Sequence, residues 1–313
     1  MVRLLAVEPF LRMDPAFDSL VPAGAQIEKL AAGFTFTEGP LWRPQGALWF
    51  SDVIGNVVRQ WSPDGAVFEI LRPGGYDGNS LPAGGFNGPN GMTADRDGAV
   101  VLCQHGNRRI VRITADRKVS TVVDRYQGKR LNSPNDLVFH TDGSLYFTDP
   151  PYGLPRQDED PAKELPFNGV YRFADGKLQL IIDDLHRPNG LAFSPDYKTL
   201  YVANSERPKM WMRYDVAADG TVRNGRVFAD VDHSQEPGVP DGMKIDALGN
   251  MYAAGPGGVW VYSPAGAHLG TIKTPETPAN CAWGDDRKSL YITAITGLYR
   301  VKLAVPGAPP VYP

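Results

Sequence analysis

The stretch "RPNGLAFSPDYKTLYVAN", residues 187–204, contains the unit that decides the fold. Pro188 and Gly190 break the chain before a short apolar run, and a Ser-Pro-Asp turn then precedes a second apolar run. Two short apolar runs on either side of a tight polar turn predict a β-hairpin. Asn189 lies at the entrance of the first strand, and a single polar amide between Pro and Gly is ordinary turn chemistry. The question is whether this asparagine does more than turn the chain.

The same phrase recurs along the chain, for example as "PNDLVFHTDGSLYFTDPPYG" from Pro134 and "PDGMKIDALGNMYAAGPGG" from Pro240. Six copies are recognisable, and the leading polar residues are Glu38, Asn90, Asn135, Asn189, Asp241 and Asn280, at steps of 52, 45, 54, 52 and 39 residues. Two further strand-like runs lie between copies, so each unit contains about four short strands. Four-stranded units with a period of roughly 40 to 50 residues are typical of β-propeller blades. Two packed β-sandwiches would not explain six recurrences of one phrase.

The repeat predicts an all-β protein, with residues 1–313 forming a single six-bladed β-propeller of four-stranded blades around a central channel. We expect the strand in "IEKLAAGFTF", residues 27–36, to join the last blade and close the ring, because closure hides open sheet edges. No long amphipathic helix interrupts this pattern.

Composition narrows the possible functions. The formal net charge is −3, which offers no electrostatic case for binding nucleic acid or an anionic membrane. No run approaches the ~18 apolar residues of a membrane span. The N-terminus is a poor signal peptide, which favours a cytoplasmic protein; export by a leader already removed is the alternative, and the sequence does not indicate an oligomeric state. Cys103 and Cys281 lie in apolar runs and are expected to be buried thiols.

The repeat also predicts a site. The first strand of each propeller blade lines the channel and all six run parallel, so the six leading residues are expected to converge at one channel mouth. Glu38 belongs to this set although Glu is a weak turn former, so turn chemistry alone does not explain the pattern. Carboxylates packed with amide oxygens need a cation, and hard oxygen donors without His or Cys select Ca²⁺ or Mg²⁺. The irregular donor set suits Ca²⁺ better, because Mg²⁺ demands a tight octahedron.

Two residues outside the repeat phrase are candidates for the same pocket. His105 follows the second strand of blade two, and second strands end on the face where first strands begin. It is expected either to line the pocket or to support a loop. Tyr152 opens one of two long insertions, residues 73–88 and 150–169, which are expected to wall the pocket and set its specificity. Its ring is suited to packing on a sugar or another apolar ring.

The stretches "SPNDLVFHTDGSLYFTDPPYGL" and "GVPDGMKIDALGNMYAAGPGGVWVYSPAGAHLG" resemble the SMP-30/gluconolactonase/LRE family of six-bladed propellers, in particular its bacterial gluconolactonase branch. The resemblance extends from about Phe36 to Val301. It implies one catalytic divalent metal, usually Ca²⁺ and sometimes Zn²⁺ or Mg²⁺. The ligands that it implies are Glu38, Asn135, Asn189 and Asp241. Asn90 and Asn280 are then left to face the substrate or to hold loops.

The sequence leads to the hypothesis of a metal-dependent lactonase that hydrolyses a sugar lactone resembling glucono-1,5-lactone. The metal would polarise the carbonyl, and Asp241 is the candidate general base, with Asn90, His105, Asn135 and Tyr152 as candidate substrate contacts. In the related paraoxonases a His occupies the position of Asn90, so a mechanism based on two histidines is disfavoured here. A phosphotriesterase on the same metal site and a non-enzymatic, Ca²⁺-stabilised binding module are the alternatives.

Overall fold

The computed structural model describes residues 8–78, 86–284 and 286–312. Before the first repeat lie three elements, which are β1 (Phe10–Arg12), a short helix α1 (Ala16–Leu20) and β2 (Ile27–Ala32).

Blade one contains β3 (Thr37–Arg43), β4 (Ala47–Asp52), β5 (Val57–Trp61) and β6 (Val67–Leu71). Blade two contains β7 (Pro89–Ala94), β8 (Val100–Gln104), β9 (Arg109–Ile113) and β10 (Val119–Val123), followed by a small hairpin of β11 (Arg125–Tyr126) and β12 (Lys129–Arg130). Blade three contains β13 (Leu137–Phe139), β14 (Leu145–Asp149), β15 (Gly169–Ala174) and β16 (Lys177–Ile182), with a 3-10 turn at Gln157–Glu159 in its long loop.

Blade four contains β17 (Pro188–Phe193), β18 (Thr199–Asn204), β19 (Met210–Val216) and β20 (Val222–Asp230). Blade five contains β21 (Met243–Ile245), β22 (Met251–Gly255), β23 (Gly258–Tyr262) and β24 (His268–Ile272). Blade six contains β25 (Pro278–Trp283), β26 (Ser289–Ala294) and β27 (Gly297–Lys302). Every pairing within these blades is antiparallel.

The described residues confirm the predicted six-bladed propeller. Each blade has four strands in sequence order, except that β2 supplies the outermost strand of blade six and β1 adds a fifth strand to blade five. The first strands contact one another in a closed cycle, from β3 through β7, β13, β17, β21 and β25 back to β3. They therefore line the central channel, as the repeat predicted.

Closure is made by β2, which pairs with β27 in the register Ile27↔Val301 and Glu28↔Arg300. This confirms the expectation drawn from residues 27–36. The addition of β1 to blade five was not predicted, because Phe10–Arg12 is too short to stand out in sequence. Through this pairing β2 gives blade six its fourth strand and covers the outer edge that β27 would otherwise leave open.

Large apolar side chains fill the spaces between neighbouring blades. Trp211, Tyr146, Tyr252 and Phe50 are fully buried examples. The thiols of Cys103 and Cys281 are both buried and unpaired, as expected. No helix in the described part of the chain has the length and apolar character needed to cross a bilayer.

The two ends of the channel differ. At the end where the first strands finish, the chain after β27 crosses the opening, with Gly307 bridging to Asp246 and the ring of Tyr312 lying 5.1 Å from that of Phe139. A cavity of about 570 Å³ remains beneath this segment. The other end is the one where the first strands begin, and it carries the repeat residues.

Candidate functional site

The six leading residues of the repeat lie together where the first strands begin; we call this set the polar ring. Five of them, Glu38, Asn90, Asn135, Asn189 and Asn280, are buried, and Asp241 is partly exposed. In blades three and five the first regular strand begins two residues after the ring residue, and in the other four the ring residue lies within the strand. The structure thus brings together the residues that sequence analysis selected.

Glycines that follow ring residues allow the blades to approach closely at this end. Gly39 has a φ of +49°, and a Cβ atom there would lie 2.1 Å from the carbonyl oxygen of Asn90. Gly91 donates its N–H to the carbonyl oxygen of Asn135 at 2.8 Å, and a Cβ atom there would lie 2.6 Å from that oxygen. The Gly of the repeated phrase is therefore a contact between neighbouring blades as well as a turn residue.

The ring amides are joined by hydrogen bonds that all run in one rotational sense. Asn90 Nδ2 donates to Asn135 Oδ1 at 2.5 Å, and Asn135 Nδ2 donates to Asn189 Oδ1 at 2.7 Å. Asn189 in turn lies within hydrogen-bonding reach of the Asp241 carboxylate. On the other side, Asn280 Nδ2 donates to Glu38 Oε2 at 3.0 Å. In each of these contacts between ring residues, the donor points towards the next blade around the propeller.

The two ring carboxylates are held in an environment that disfavours their charge. Burial raises the pKa of Glu38 to about 7, and the nearby Asp136 adds to the effect. Burial also raises the pKa of Asp241, with further contributions from Glu38 and Asp136. Two mutually repelling carboxylates at one mouth are a common arrangement for a cation site or for acid–base chemistry.

Two charged residues beside the polar ring were missed by sequence reasoning. Asp136 is buried and its carboxylate acts on Glu38 and Asp241, while the ammonium group of Lys244 opposes the rise in pKa of both Glu38 and Asp136. Asp136 occupies the position where the phrases of four other blades carry Gly. Lys244 lies three residues after Asp241, where the other blades carry uncharged residues. Each departure from the repeat was a signal that an alignment of the six phrases would have shown.

His105 lies beneath Asn90 and is 1% exposed. Its Nδ1 is 2.8 Å from the carbonyl oxygen of Phe86, so Nδ1 carries the proton and donates to that oxygen. Its Nε2 is 3.1 Å from Asn90 Nδ2 and accepts from it. Burial lowers the pKa of His105 to about 4, so its imidazole is neutral at pH 7. His105 therefore contacts Asn90 from the protein interior and not from the solvent-exposed side of the polar ring.

Tyr152 reaches the polar ring from the long loop of blade three. Its phenol lies against Ser205 and Asn189, close enough to Asp241 to interact with it electrostatically. Burial raises the pKa of this phenol, so it remains a neutral O–H donor. The loop is tied to its neighbour, since Phe86 N donates to Tyr152 O at 3.2 Å. Of the insertion at 73–88, residues 79–85 lie outside the described residues.

The donor set of the polar ring fits a hard divalent cation. Asp241 Oδ1 is buried without a hydrogen-bond partner, and such an atom requires an ion or a donor from a ligand. All the candidate donors are carboxylate or amide oxygens, which Ca²⁺ and Mg²⁺ prefer. Within the described ranges, no group of three or more His, Cys, Asp or Glu side chains forms a metal-binding cluster. A cation here would therefore need amide oxygens of the polar ring alongside the carboxylates of Glu38 and Asp241.

Comparison with known proteins agrees with this architecture. The family model described as the SMP-30/gluconolactonase/LRE-like region matches residues 36–296. The chain belongs to this family. The resemblance seen in the repeat phrases is thereby confirmed.

Within the SMP-30/gluconolactonase/LRE-like family, the chain is 41% identical over 306 residues to the gluconolactonase of Zymomonas mobilis subsp. mobilis, a match that covers 93% of this chain and 85% of that protein. The solved structure of a gluconolactonase from Xanthomonas campestris superposes with a TM-score of 0.82 at 35% identity and covers 95% of each chain. The diisopropyl-fluorophosphatase of Loligo vulgaris is 25% identical over 270 residues, which is 82% of this chain and 84% of that protein. The roles of individual ring residues stay predictions.

Proposed function

We propose that the protein hydrolyses a sugar lactone resembling glucono-1,5-lactone to the aldonic acid, at a polar ring that binds one divalent cation, Ca²⁺ first among the candidates. The observation that carries this proposal is a pair of mutually repelling carboxylates at the channel mouth, the buried Glu38 and the partly exposed Asp241, set among amide oxygens. The identity to gluconolactonases over nearly the whole chain supports the choice of substrate class.

The residues that would hold the cation are Glu38, Asn135, Asn189 and Asp241. When bound, a divalent cation supplies Lewis-acid polarisation of the lactone carbonyl and stabilises the developing oxyanion. The two carboxylates contribute negative charge, and the two amides contribute oxygens whose second lone pairs are not used by the hydrogen bonds between the asparagines.

Asp241 is the candidate general base because its Oδ1 is buried and has no protein partner. It would take a proton from the attacking water as the water oxygen bonds to the carbonyl carbon. The bond between that carbon and the ring oxygen then breaks, and the proton passes to the departing ring oxygen, which becomes a hydroxyl group. Tyr152, neutral and close to Asp241, would donate a hydrogen bond to a substrate oxygen and exclude bulk water.

The test is hydrolysis of a substrate panel followed by pH-stat titration. The panel contains sugar lactones, aliphatic lactones and a phosphotriester, with protein that has been chelated and then reloaded with Ca²⁺, Mg²⁺ or Zn²⁺. We expect sugar lactones to be preferred, chelation to abolish hydrolysis and at least one of the cations to restore it. Asp241→Asn keeps an oxygen of similar size but is a far weaker base, so kcat should fall roughly 10²- to 10⁴-fold while KM changes less.

The matched control is Asp64→Asn, since Asp64 is exposed in a hairpin turn of blade one. It should leave both constants unchanged. Hydrolysis that survives exhaustive chelation would refute the cation mechanism. Preference for the phosphotriester would favour the phosphotriesterase alternative, and binding of a cation without turnover of any substrate would favour a binding module.

A further inference from the structure

The hydrogen bonds of the polar ring end on two backbone carbonyl groups, and this fixes the direction of every bond between them. At one end His105 Nδ1 donates to Phe86 O at 2.8 Å. At the other end Ser205 Oγ donates to Pro240 O at 2.5 Å. A carbonyl oxygen only accepts, so neither terminal bond can reverse.

The orientation of an Asn amide is ordinarily ambiguous, because its oxygen and nitrogen have nearly the same size. Here the two terminal hydrogen bonds, to Phe86 O and Pro240 O, determine the orientation of the amides. Because Ser205 uses its proton on Pro240, its oxygen accepts from Asn189 Nδ2 at 2.9 Å. Asn189 Oδ1 then faces Asn135 Nδ2 at 2.7 Å, and Asn135 Oδ1 faces Asn90 Nδ2 at 2.5 Å.

The same reasoning from the other end reaches Asn90. Because His105 Nδ1 holds the proton, its Nε2 is an acceptor, and it faces Asn90 Nδ2 at 3.1 Å. The two N–H groups of Asn90 are therefore both used, one by His105 and one by Asn135. Asn90 Oδ1 is buried and has no partner in the protein.

His105 and Ser205 occupy equivalent places in the fold. Each is the residue immediately after the second strand of its blade, β8 and β18 respectively, and each lies behind the ring residue of its own blade. His105 is 1% exposed and Ser205 is 6% exposed. Neither needs to reach the solvent or a substrate in order to act on the ring.

We infer that His105 and Ser205 are positioning residues that hold the ring asparagines in one donor–acceptor sense, and that this sense makes Asn90 Oδ1 the acceptor for a hydroxyl group of the substrate. The inference rests on the proposed function. It specifies which atom of Asn90 meets the substrate and what that atom requires, which is an O–H donor. A lactone with hydrogen or a methyl ether in place of that hydroxyl leaves the buried oxygen unsatisfied.

The experiment compares the parent lactone with analogues that each lack one hydroxyl, using kcat/KM for the wild type, Asn90→Ala, His105→Leu and His105→Gln. For one hydroxyl we expect the wild type to favour the parent by roughly tenfold to a few hundredfold. Asn90→Ala should abolish that preference, and His105→Leu should reduce it. His105→Gln should largely retain it, because the Gln amide offers an N–H to Phe86 and an oxygen to Asn90.

A second arm measures Ca²⁺ binding by calorimetry, a readout that does not depend on turnover. Ser205→Ala should weaken binding because Asn189 loses the acceptor that orients it, and Ser205→Thr should restore it. Thermal unfolding midpoints of all variants are measured alongside. If His105→Leu does not fold, the hydroxyl preferences of Asn90→Ala and His105→Gln still test the inference.

Three results would overturn the inference. The first is that Asn90→Ala lowers kcat/KM equally for every lactone, which would assign Oδ1 to the attacking water or the cation. The second is that His105→Leu keeps the full hydroxyl preference, and the third is that Ser205→Ala binds Ca²⁺ as the wild type does. Either of these would remove the positioning role. Failure of the wild type to hydrolyse any lactone would instead refute the proposed function, and the calorimetric arm would still judge the positioning of Asn189.

Discussion

Asp241 differs from the ring amides in two respects, its charge and its unpartnered oxygen. Asn135 contributes only a neutral oxygen, which the protein already holds in a hydrogen bond with Asn90. Affinity for Ca²⁺ depends strongly on the number of charged ligands. The two residues should therefore contribute unequally to cation binding.

We predict that Asp241→Ala weakens Ca²⁺ binding by about 10²-fold or more, and that Asn135→Ala weakens it by roughly tenfold. Isothermal titration calorimetry of the chelated proteins measures both. Asp64→Ala, an exposed substitution, serves as the control for the change in net charge. Equal affinities for wild type and Asp241→Ala would remove Asp241 from the ligand set.

The sequence predicted that the ring residues, His105 and Tyr152 lie at the channel mouth, because the repeat phrase and the strand order determine the position of each of them. It did not locate Asp136, Lys244 or Ser205. Their positions follow from the same repeat, but their importance arises from neighbours in other blades, as when Ser205 bonds to Pro240. Contacts between blades are set by the ring geometry and cannot be read from one phrase.

The ends of the second strands form a layer of polar anchors in four of the blades. Asp52 accepts from the backbone of Thr35, Gln104 donates to Gly74 O, Asp149 accepts from Asn132 N and Asn204 accepts from Arg187 N. Each anchor fastens the segment that enters its own blade. The pattern explains why the second strand of these blades ends in a polar residue.

Among these anchors, Asp149 should make stability depend on pH. Burial raises its pKa to about 7 in the folded protein, against roughly 4 in the unfolded chain. Between these values the unfolded chain releases a proton that the folded protein keeps. The contribution of Asp149 to stability is therefore lost progressively as the pH rises from about 4 to about 7, and it stays constant above that range.

We predict that Asp149→Asn, which keeps the acceptor for Asn132, is more stable than the wild type by an amount that grows from pH 4 to pH 7, reaching on the order of 3 kcal/mol. Urea denaturation across this range, in chelator, measures the difference. Asp64→Asn is the control. A constant difference between Asp149→Asn and wild type at all pH values would show that the carboxyl group does not titrate abnormally.

Closure of the propeller depends on β2, whose partner strand β27 is far away in sequence. Leu30 of β2 packs against the apolar cluster between blades six and one, beside Tyr291 and Leu298. Lys29 and Glu28 of the same strand are exposed. The fold of blade six was predictable because a three-stranded last repeat leaves an edge to be covered, whereas the added strand of blade five covers an already complete sheet.

We predict that Leu30→Asp lowers the free energy of unfolding by about 2–4 kcal/mol, because it places a charge against this cluster. The loss should occur in a single transition, since opening the closure exposes both neighbouring blades. Urea denaturation followed by far-ultraviolet circular dichroism and by tryptophan fluorescence measures it, with Glu28→Ala as the control on the same strand. A separate early transition for Leu30→Asp would show that β2 is an appendage and not part of the closure.

The pairing of Ile27 with Val301 also determines when blade six can form during synthesis of the chain. On a ribosome β2 emerges long before β27 exists, so its edge waits unpaired while five blades are synthesised. The propeller can close only when the last repeat has left the exit tunnel. Only then can the ring amides from different blades form their hydrogen bonds. β2 thus completes a blade that is synthesised long after it, and activity at the channel mouth is expected only once β27 has been made.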